Sequence, residues 1–242
     1  MSYALYNDLA GLRFWRQREL RLRERLKLAI VECVQNTLLD LNQMWAFEEV
    51  EAPPMMPLSR MSAAYDRSDV FLLLDPPGGV EPFAMRAETT DGTYAIAEAI
   101  MRTTNRKPPL GFYQMGPSFR RETSDGATAA KLRFNAFVQL EFQLIHSADT
   151  KADIVTPVRE ALALLVRRAT GSETRLIPSD RLPAYSTETV DIEVLQGNHE
   201  WREVASTSRR TDFPVVPGFK PCNVFEVAFG MDRMVALSQG GL

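Results

Sequence analysis

The chain has 242 residues, 45% apolar and 24% charged, which is enough for a sizeable core and excludes disorder as its main state. Its 28 Lys and Arg against 31 Asp and Glu give a net charge of −3, which excludes a basic surface throughout but not a local one. Two cysteines far apart (Cys33, Cys222) and two histidines (His146, His199) leave no disulfide framework, no CxxC metal spacing and no multi-histidine centre. No run of about 18 apolar residues and no basic-then-apolar leader is present, so the expectation is a cytoplasmic protein without a membrane span. Neither GxGxxG nor GxxxxGK[ST] occurs, so any bound nucleotide must have its phosphates held by arginines.

From Leu12 to Leu41 apolar residues recur at spacings of three, four and seven, which predicts one long amphipathic helix ending near Trp45. Its first half carries Arg13, Arg16, Arg18, Arg21, Arg23, Arg25 and Lys27 against Glu19 and Glu24, either a solvated face or a contact for an anionic partner. A short extended segment, Phe47 to Ala52, is closed by Pro53 and Pro54. Asp75 to Gly79 reads as a loop, and Asp91 to Arg102 as a second helix broken at Lys107-Pro108-Pro109. Phe112 to Glu122 and Phe134 to Ile145 are β-prone and separated by a polar stretch, Thr123 to Ala130, which predicts a hairpin with a long mobile loop. Ile154 to Thr170 is a third amphipathic helix, stopped by Gly171. Strands follow at 190–194, 201–205 and 224–229, and a last helix runs from Met231 to Ser238. With no repeat and no linker, the reading is one α+β domain over residues 1–242, an antiparallel sheet with helices on it.

Three segments carry the chemistry. In Phe119-Arg120-Arg121-Glu122, an arginine at a strand end can place its planar fork on a phosphate, and Glu122 can accept from an exocyclic amine. Arg133, Phe137 and Glu141 are spaced by four, so on an extended strand they share a face. Such a face suits a nucleotide triphosphate, with Phe137 stacked on the base for roughly 1–3 kcal/mol. In Glu226 to Leu237 a strand turns through Gly230 into a helix with Arg233 on its first turn. An arginine there opposes the helix dipole and needs an anion, either Asp232 or a phosphate. Glu226 is placed to help hold a divalent cation.

Together these segments resemble the three signature motifs of class II aminoacyl-tRNA synthetases. Phe47-xx-Val50-xx-Pro53 after a long helix resembles the first, Phe119-Arg120-x-Glu122 with Arg133-xxx-Phe137-xxx-Glu141 the second, and Gly230-Met231-Asp232-Arg233 the third. Within that class the resemblance extends furthest to glycyl-tRNA synthetases. Met85-Arg86-Ala87-Glu88-Thr89-Thr90-Asp91-Gly92 is similar to LRPETAQG, and Phe137-Val138-Gln139-Leu140-Glu141 to FTQAE. The strand from Tyr185 to Val194 and the stretch from Glu203 to Phe213 resemble further segments of that family, the latter also one of seryl-tRNA synthetases. The family's R-V-R-E-F reads Arg133-Phe134-Asn135-Ala136-Phe137 here, and its E-P-S reads Glu226-Val227-Ala228.

The resemblance implies a class II fold that activates a small amino acid, glycine foremost, with ATP and Mg2+, and transfers it to a tRNA or carrier. Arg120 would hold the α-phosphate and Arg233 the γ-phosphate, with Glu122 on the adenine amine, Phe137 beneath the ring and Arg133 on the triphosphate. Glu88, Glu141 and Glu226 would meet the ammonium, Arg210 the carboxylate, and Glu203 and Glu226 the magnesium. The first motif implies a homodimer. The sequence runs nine residues past Arg233, so the expectation is a catalytic core lacking the family's anticodon-binding domain. tRNA recognition is therefore expected to rest on the acceptor end or the basic N-terminal helix. The alternatives are a catalytically silent relative serving as an accessory subunit, for example of a nucleic-acid enzyme, and an unrelated α+β protein. Joint retention of Arg120, Glu122, Phe137 and Arg233 favours the enzyme.

Overall fold

The computed structural model describes residues 5–7 (backbone only), 11–41, 44–62, 65–73, 81–122, 126–128, 130–180, 182–197 and 199–238. Helix α1 spans Gln17–Asp40, and Leu26, Ile30, Val34 and Leu38, spaced by four, form its buried stripe. It starts later than its periodicity predicts. Leu12–Phe14 is a short strand, β2, paired with β1 (Leu5–Asn7), and Gly11 between them takes φ +58. Arg13 is buried while Leu12 and Phe14 are exposed, an alternation of two that a helical pattern running on behind it conceals. The Glu19 carboxylate accepts the Arg16 N–H at 3.0 Å and fixes the helix start there.

The short strands β3 (Ala46–Glu49), β4 (Met55–Pro57), β5 (Leu72–Leu73) and β6 (Phe83–Met85) precede helix α2 (Thr90–Thr104). The predicted hairpin is β7 (Leu110–Phe119) against β8 (Ala136–Ser147), antiparallel from Leu110↔Ile145 to Phe119↔Ala136. Helix α3 (Val155–Thr170) ends at Gly171, whose φ of +65 is the left-handed turn that glycine makes without strain. Then come β9 (Thr174–Pro178), β10 (Ser186–Leu195), β11 (Trp201–Arg210), β12 (Cys222–Gly230) and α4 (Met231–Leu237). The predicted loop 75–79 and residues 123–125 and 129 of the mobile stretch lie outside the described residues.

Among the described residues the main sheet runs β3-β7-β8-β12-β11-β10-β9, antiparallel except for the parallel β3–β7 pair, with the β1–β2 hairpin bridged to the start of β8. β4, β6 and β5 form a small second sheet. Period-two alternation divides the main sheet into two unlike faces. Leu140, Phe142 and Leu144 on β8 and Phe225, Val227 and Phe229 on β12 join α1, α3 and α4 in the main core. Each such side chain removed from water contributes about 1.5–3 kcal/mol. The residues between them, Glu141, Gln143 and Glu226, are polar and buried on the opposite face. There α2 covers one end through Tyr94, Ala97 and Met101, packed on Leu110, Phe112, Ile145 and Val224. A sheet face that buries carboxylates needs partners for them, and these partners build the site.

Candidate active site

The floor of the site is a hydrogen-bonded cluster drawn from four elements. Arg210, at the end of β11 and 1% exposed, donates through Nε and Nη2 to both oxygens of Asp212, at 3.0 and 2.7 Å. Its Nη1 donates to Glu226 Oε2 at 2.5 Å and lies 3.3 Å from Thr90 Oγ1 and 3.6 Å from Glu88. Tyr185 stacks on the guanidinium at 3.8 Å. Gln143 Nε2 bridges Glu141 Oε1 (2.6 Å) and Glu226 Oε2 (3.0 Å), and the Thr90 hydroxyl bonds Glu141. Tyr65 donates to Glu88 Oε2 at 2.9 Å.

Arg210, Glu88, Glu141 and Glu226 thus come together as the sequence predicts, but the arginine is not the open carboxylate receptor expected of it. Both edges of its fork are occupied by this protein's own carboxylates and one face by Tyr185. Burial opposes the arginine's charge, yet Glu226, Asp212 and Glu88 outweigh it and raise its affinity for the proton. Acids outnumber that cation. Burial and the neighbouring Glu226 and Glu88 push Glu141 up to about 8. Burial and Glu88 push Asp91, beside them, up to about 7. Glu88 is raised as well, by burial first, against the pull of Arg210. Glu88 Oε1 and Gln143 Oε1 are buried and have no hydrogen-bond partner. The floor therefore offers negative charge and unused acceptors to a cation.

Arg120 stands above this floor. Its Nε donates to Ala87 O at 3.1 Å, and its guanidinium lies between the Phe137 ring (5.1 Å) and the Tyr65 ring (5.4 Å). Among the described residues no carboxylate lies within 4.0 Å of its nitrogens. Burial opposes its charge, while Tyr65, Glu88 and Glu203 support it and raise its pKa overall. Phe137 and Glu141 share the polar face of β8 as predicted. Arg133 does not, because β8 begins at Ala136 and Arg133 lies in the preceding segment, 3.6 Å from Glu122. Arg233, on the first turn of α4, donates to Leu132 O (3.2 Å) and Glu203 O (2.8 Å) and lies 3.4 Å from the Glu203 carboxylate. Asp232 is not its counter-ion, for it is turned inward to Arg13.

Glu203 and Glu226, predicted as a metal pair, are separated. Glu226 is opposite Ser208, five residues along β11 from Glu203, which is about 16 Å at the usual strand rise. Glu226 is also spent on Arg210. Among the described residues no three His, Cys, Asp or Glu side chains are grouped to hold a metal ion. Magnesium does not fit this carboxylate pair.

Sequence reading missed Tyr65, Asp212 and Gln143 as parts of the site. Gln143 had a readable signal, since it continues the alternation Phe137, Gln139, Glu141 along β8, and Asp212 lay in the stretch with family likeness.

Known structures match this arrangement of sheet and helices. Prolyl-tRNA synthetase from Cryptosporidium parvum, complexed with halofuginone and AMPPNP, superposes with a TM-score of 0.73 at 14% identity, covering 98% of this chain and 49% of that one. The same enzyme with L-proline and AMP gives 0.72. The fold is that of a class II aminoacyl-tRNA synthetase catalytic domain. In sequence, the chain is 32% identical over 138 residues to the glycine–tRNA ligase of Mycobacterium bovis, a match over 53% of this chain and 29% of that enzyme. It is 30% identical over 136 residues to that of Streptomyces coelicolor, with the same coverage. The chain therefore spans less than a third of these relatives' length. No protein-family model matches it. Among the described residues no helix is long and apolar enough to cross a membrane.

Proposed function

We propose that this class II domain is an adenylate-forming ligase that joins a small amino acid, glycine foremost, to AMP from ATP. The observation that carries the reading is the pairing of an excess-acid, buried floor with Arg120, an arginine near Glu88 that pairs with no carboxylate among the described residues. A zwitterion fits between them. Its ammonium meets Glu88 and Glu141, and its carboxylate faces Arg120. The likeness to glycine–tRNA ligases supports the amino acid, and the nucleotide-bound prolyl-tRNA synthetases of the same fold support ATP.

In the reaction, a carboxylate oxygen of the amino acid attacks the α-phosphorus. The bond to the bridging oxygen breaks and pyrophosphate leaves with the electron pair, so no protein nucleophile is needed. Arg120 stabilises charge building on the α-phosphate, Phe137 carries the base with Glu122 at the adenine amine, and Arg233 and Arg133 hold the outer phosphates. Arg210 touches neither substrate. As a fixed counter-ion bonded to Glu226 and Asp212 it holds both carboxylates in place and so fixes the floor's shape. The supporting residues do not build a magnesium cage, and no step here depends on one. The acceptor is a tRNA end or a carrier thiol, and the first motif supports a homodimer.

Amino-acid-dependent exchange of labelled pyrophosphate into ATP, measured for all twenty amino acids, tests this. The expected result is exchange with one small amino acid, lowered at least about 100-fold by Arg120→Ala. Exchange with none of them from a folded protein that binds ATP would instead support the silent, accessory reading.

A further inference from the structure

Asp232 is a buried carboxylate that none of these roles uses. It is 2% exposed and precedes Arg233 on α4. Its Oδ2 accepts the N–H of Val138 at 2.7 Å, and Val138 follows Phe137 on β8. The last pair of the β12–β8 ladder is Gly230↔Gln139. Beyond it the chain turns into α4, and the Asp232 side chain supplies the acceptor that a continuing strand would have offered. One carboxylate thus joins the backbones next to Phe137 and Arg233.

Its other side faces Arg13. Arg13 Nη1 lies 3.5 Å from Asp232 Oδ1 and donates to the Asp232 carbonyl at 2.6 Å, and Nη2 donates to Glu19 Oε1 at 2.7 Å. The Arg13 side chain is 1% exposed and its guanidinium packs on Trp15 at 4.1 Å. The adjoining backbone is fastened to the second motif. Asn135 N–H donates to Gly11 O at 2.7 Å, and Leu12 pairs with Ala136. Asn135 in turn accepts the Arg120 N–H on its carbonyl and the Glu122 N–H on Oδ1, both at 2.9 Å. Gly11 has no room for a side chain, since a Cβ would lie 2.7 Å from Ala127 Cβ.

We propose that Asp232 is a positioning residue of the nucleotide site, and that Arg13 makes residues 11–19 a brace holding Phe137 and Arg233 in register. This rests on the ATP reading above. An ion pair this buried adds little net stability over apolar side chains of the same volume, so its expected signature is in nucleotide binding.

The experiment measures AMPPNP affinity by calorimetry and both KM values in pyrophosphate exchange, for the intact chain and for Arg13→Met and Asp232→Asn. Each variant is expected to weaken AMPPNP binding and raise the ATP KM about tenfold, leaving the amino-acid KM within about twofold. The double variant should be no worse than the weaker single one, because the two side chains act as a unit. Folded variants with unchanged AMPPNP affinity would overturn the brace, and so would equal increases in both KM values, which mark general loosening. If neither variant folds, Arg13→Lys decides, since it keeps the charge and loses the fork; unchanged affinity in it overturns the proposal. A wild-type chain that binds no AMPPNP removes the ATP reading together with the brace, whereas wild-type binding with unaffected variants removes the brace alone.

Discussion

Glu141 and Glu226 share the Thr90 hydroxyl and Gln143 on a buried sheet face, and this proximity sets a pH dependence. The ordinary value for Glu141 is 4.5; in the fold, burial and then Glu226 push it up to about 8. Between those values the native state keeps a proton that the unfolded chain has lost, so stability is greatest below 4.5 and is lost as pH rises through 8. Glu141→Gln removes that slope. In urea titrations from pH 5 to 9 the variant should gain on wild type by about 2–4 kcal/mol at the alkaline end. A difference constant across that range would contradict the shift. Above pH 8, where Glu141 is ionised, the same substitution takes negative charge from the floor, and the amino-acid KM should there rise about tenfold or more.

Arg210 shows what a sequence motif conveys and what it leaves out. Its position was readable, because Arg210-Thr211-Asp212-Phe213 lies in a segment with family likeness. Its role was not, because the bidentate bond to Asp212 depends on how the chain turns after β11. Spacing places residues on faces, but it does not say which of them neutralise one another. The Glu203–Glu226 pair failed for a similar reason, since strand register, unseen in sequence, puts them five residues apart.

At the level of elements, the long strands and helices were legible from periodicity, and the short pieces were not. β4, β5 and β6 have two or three residues each, too few for any period to show. They are held by a buried strut instead. Arg86, 1% exposed, donates to Ala52 O at 2.6 Å and Pro117 O at 2.8 Å, tying the segment after β3 to the end of β7. Gly116 is glycine because a Cβ would run into Arg86 Nη2. Arg86→Met should cost about 2–4 kcal/mol in urea unfolding, since it strands both carbonyls. Because Glu88 and Thr90 follow directly, the loss should also weaken amino-acid binding. A variant as stable as wild type would remove the strut from this account.

For the molecule as a whole, the division of one sheet into an apolar and a polar face organises everything else. Helices α1, α3 and α4 cover the first. On the second, the buried acids converge with Arg210, which they occupy, and with Arg120, which pairs with no carboxylate among the described residues. That division was legible in the alternation of Leu140 to Leu144, while closure of the site by Tyr65 and Tyr185 needed the three-dimensional fold. The central claim is that these groups make an aminoacyl-adenylate. The most direct measurement mixes excess protein with ATP, magnesium, pyrophosphatase and glycine, then quantifies protein-bound product by mass spectrometry. The account predicts close to one glycyl-adenylate per ATP consumed, absent from Arg120→Ala. ATP bound but left intact with glycine, and with every other amino acid, would contradict it.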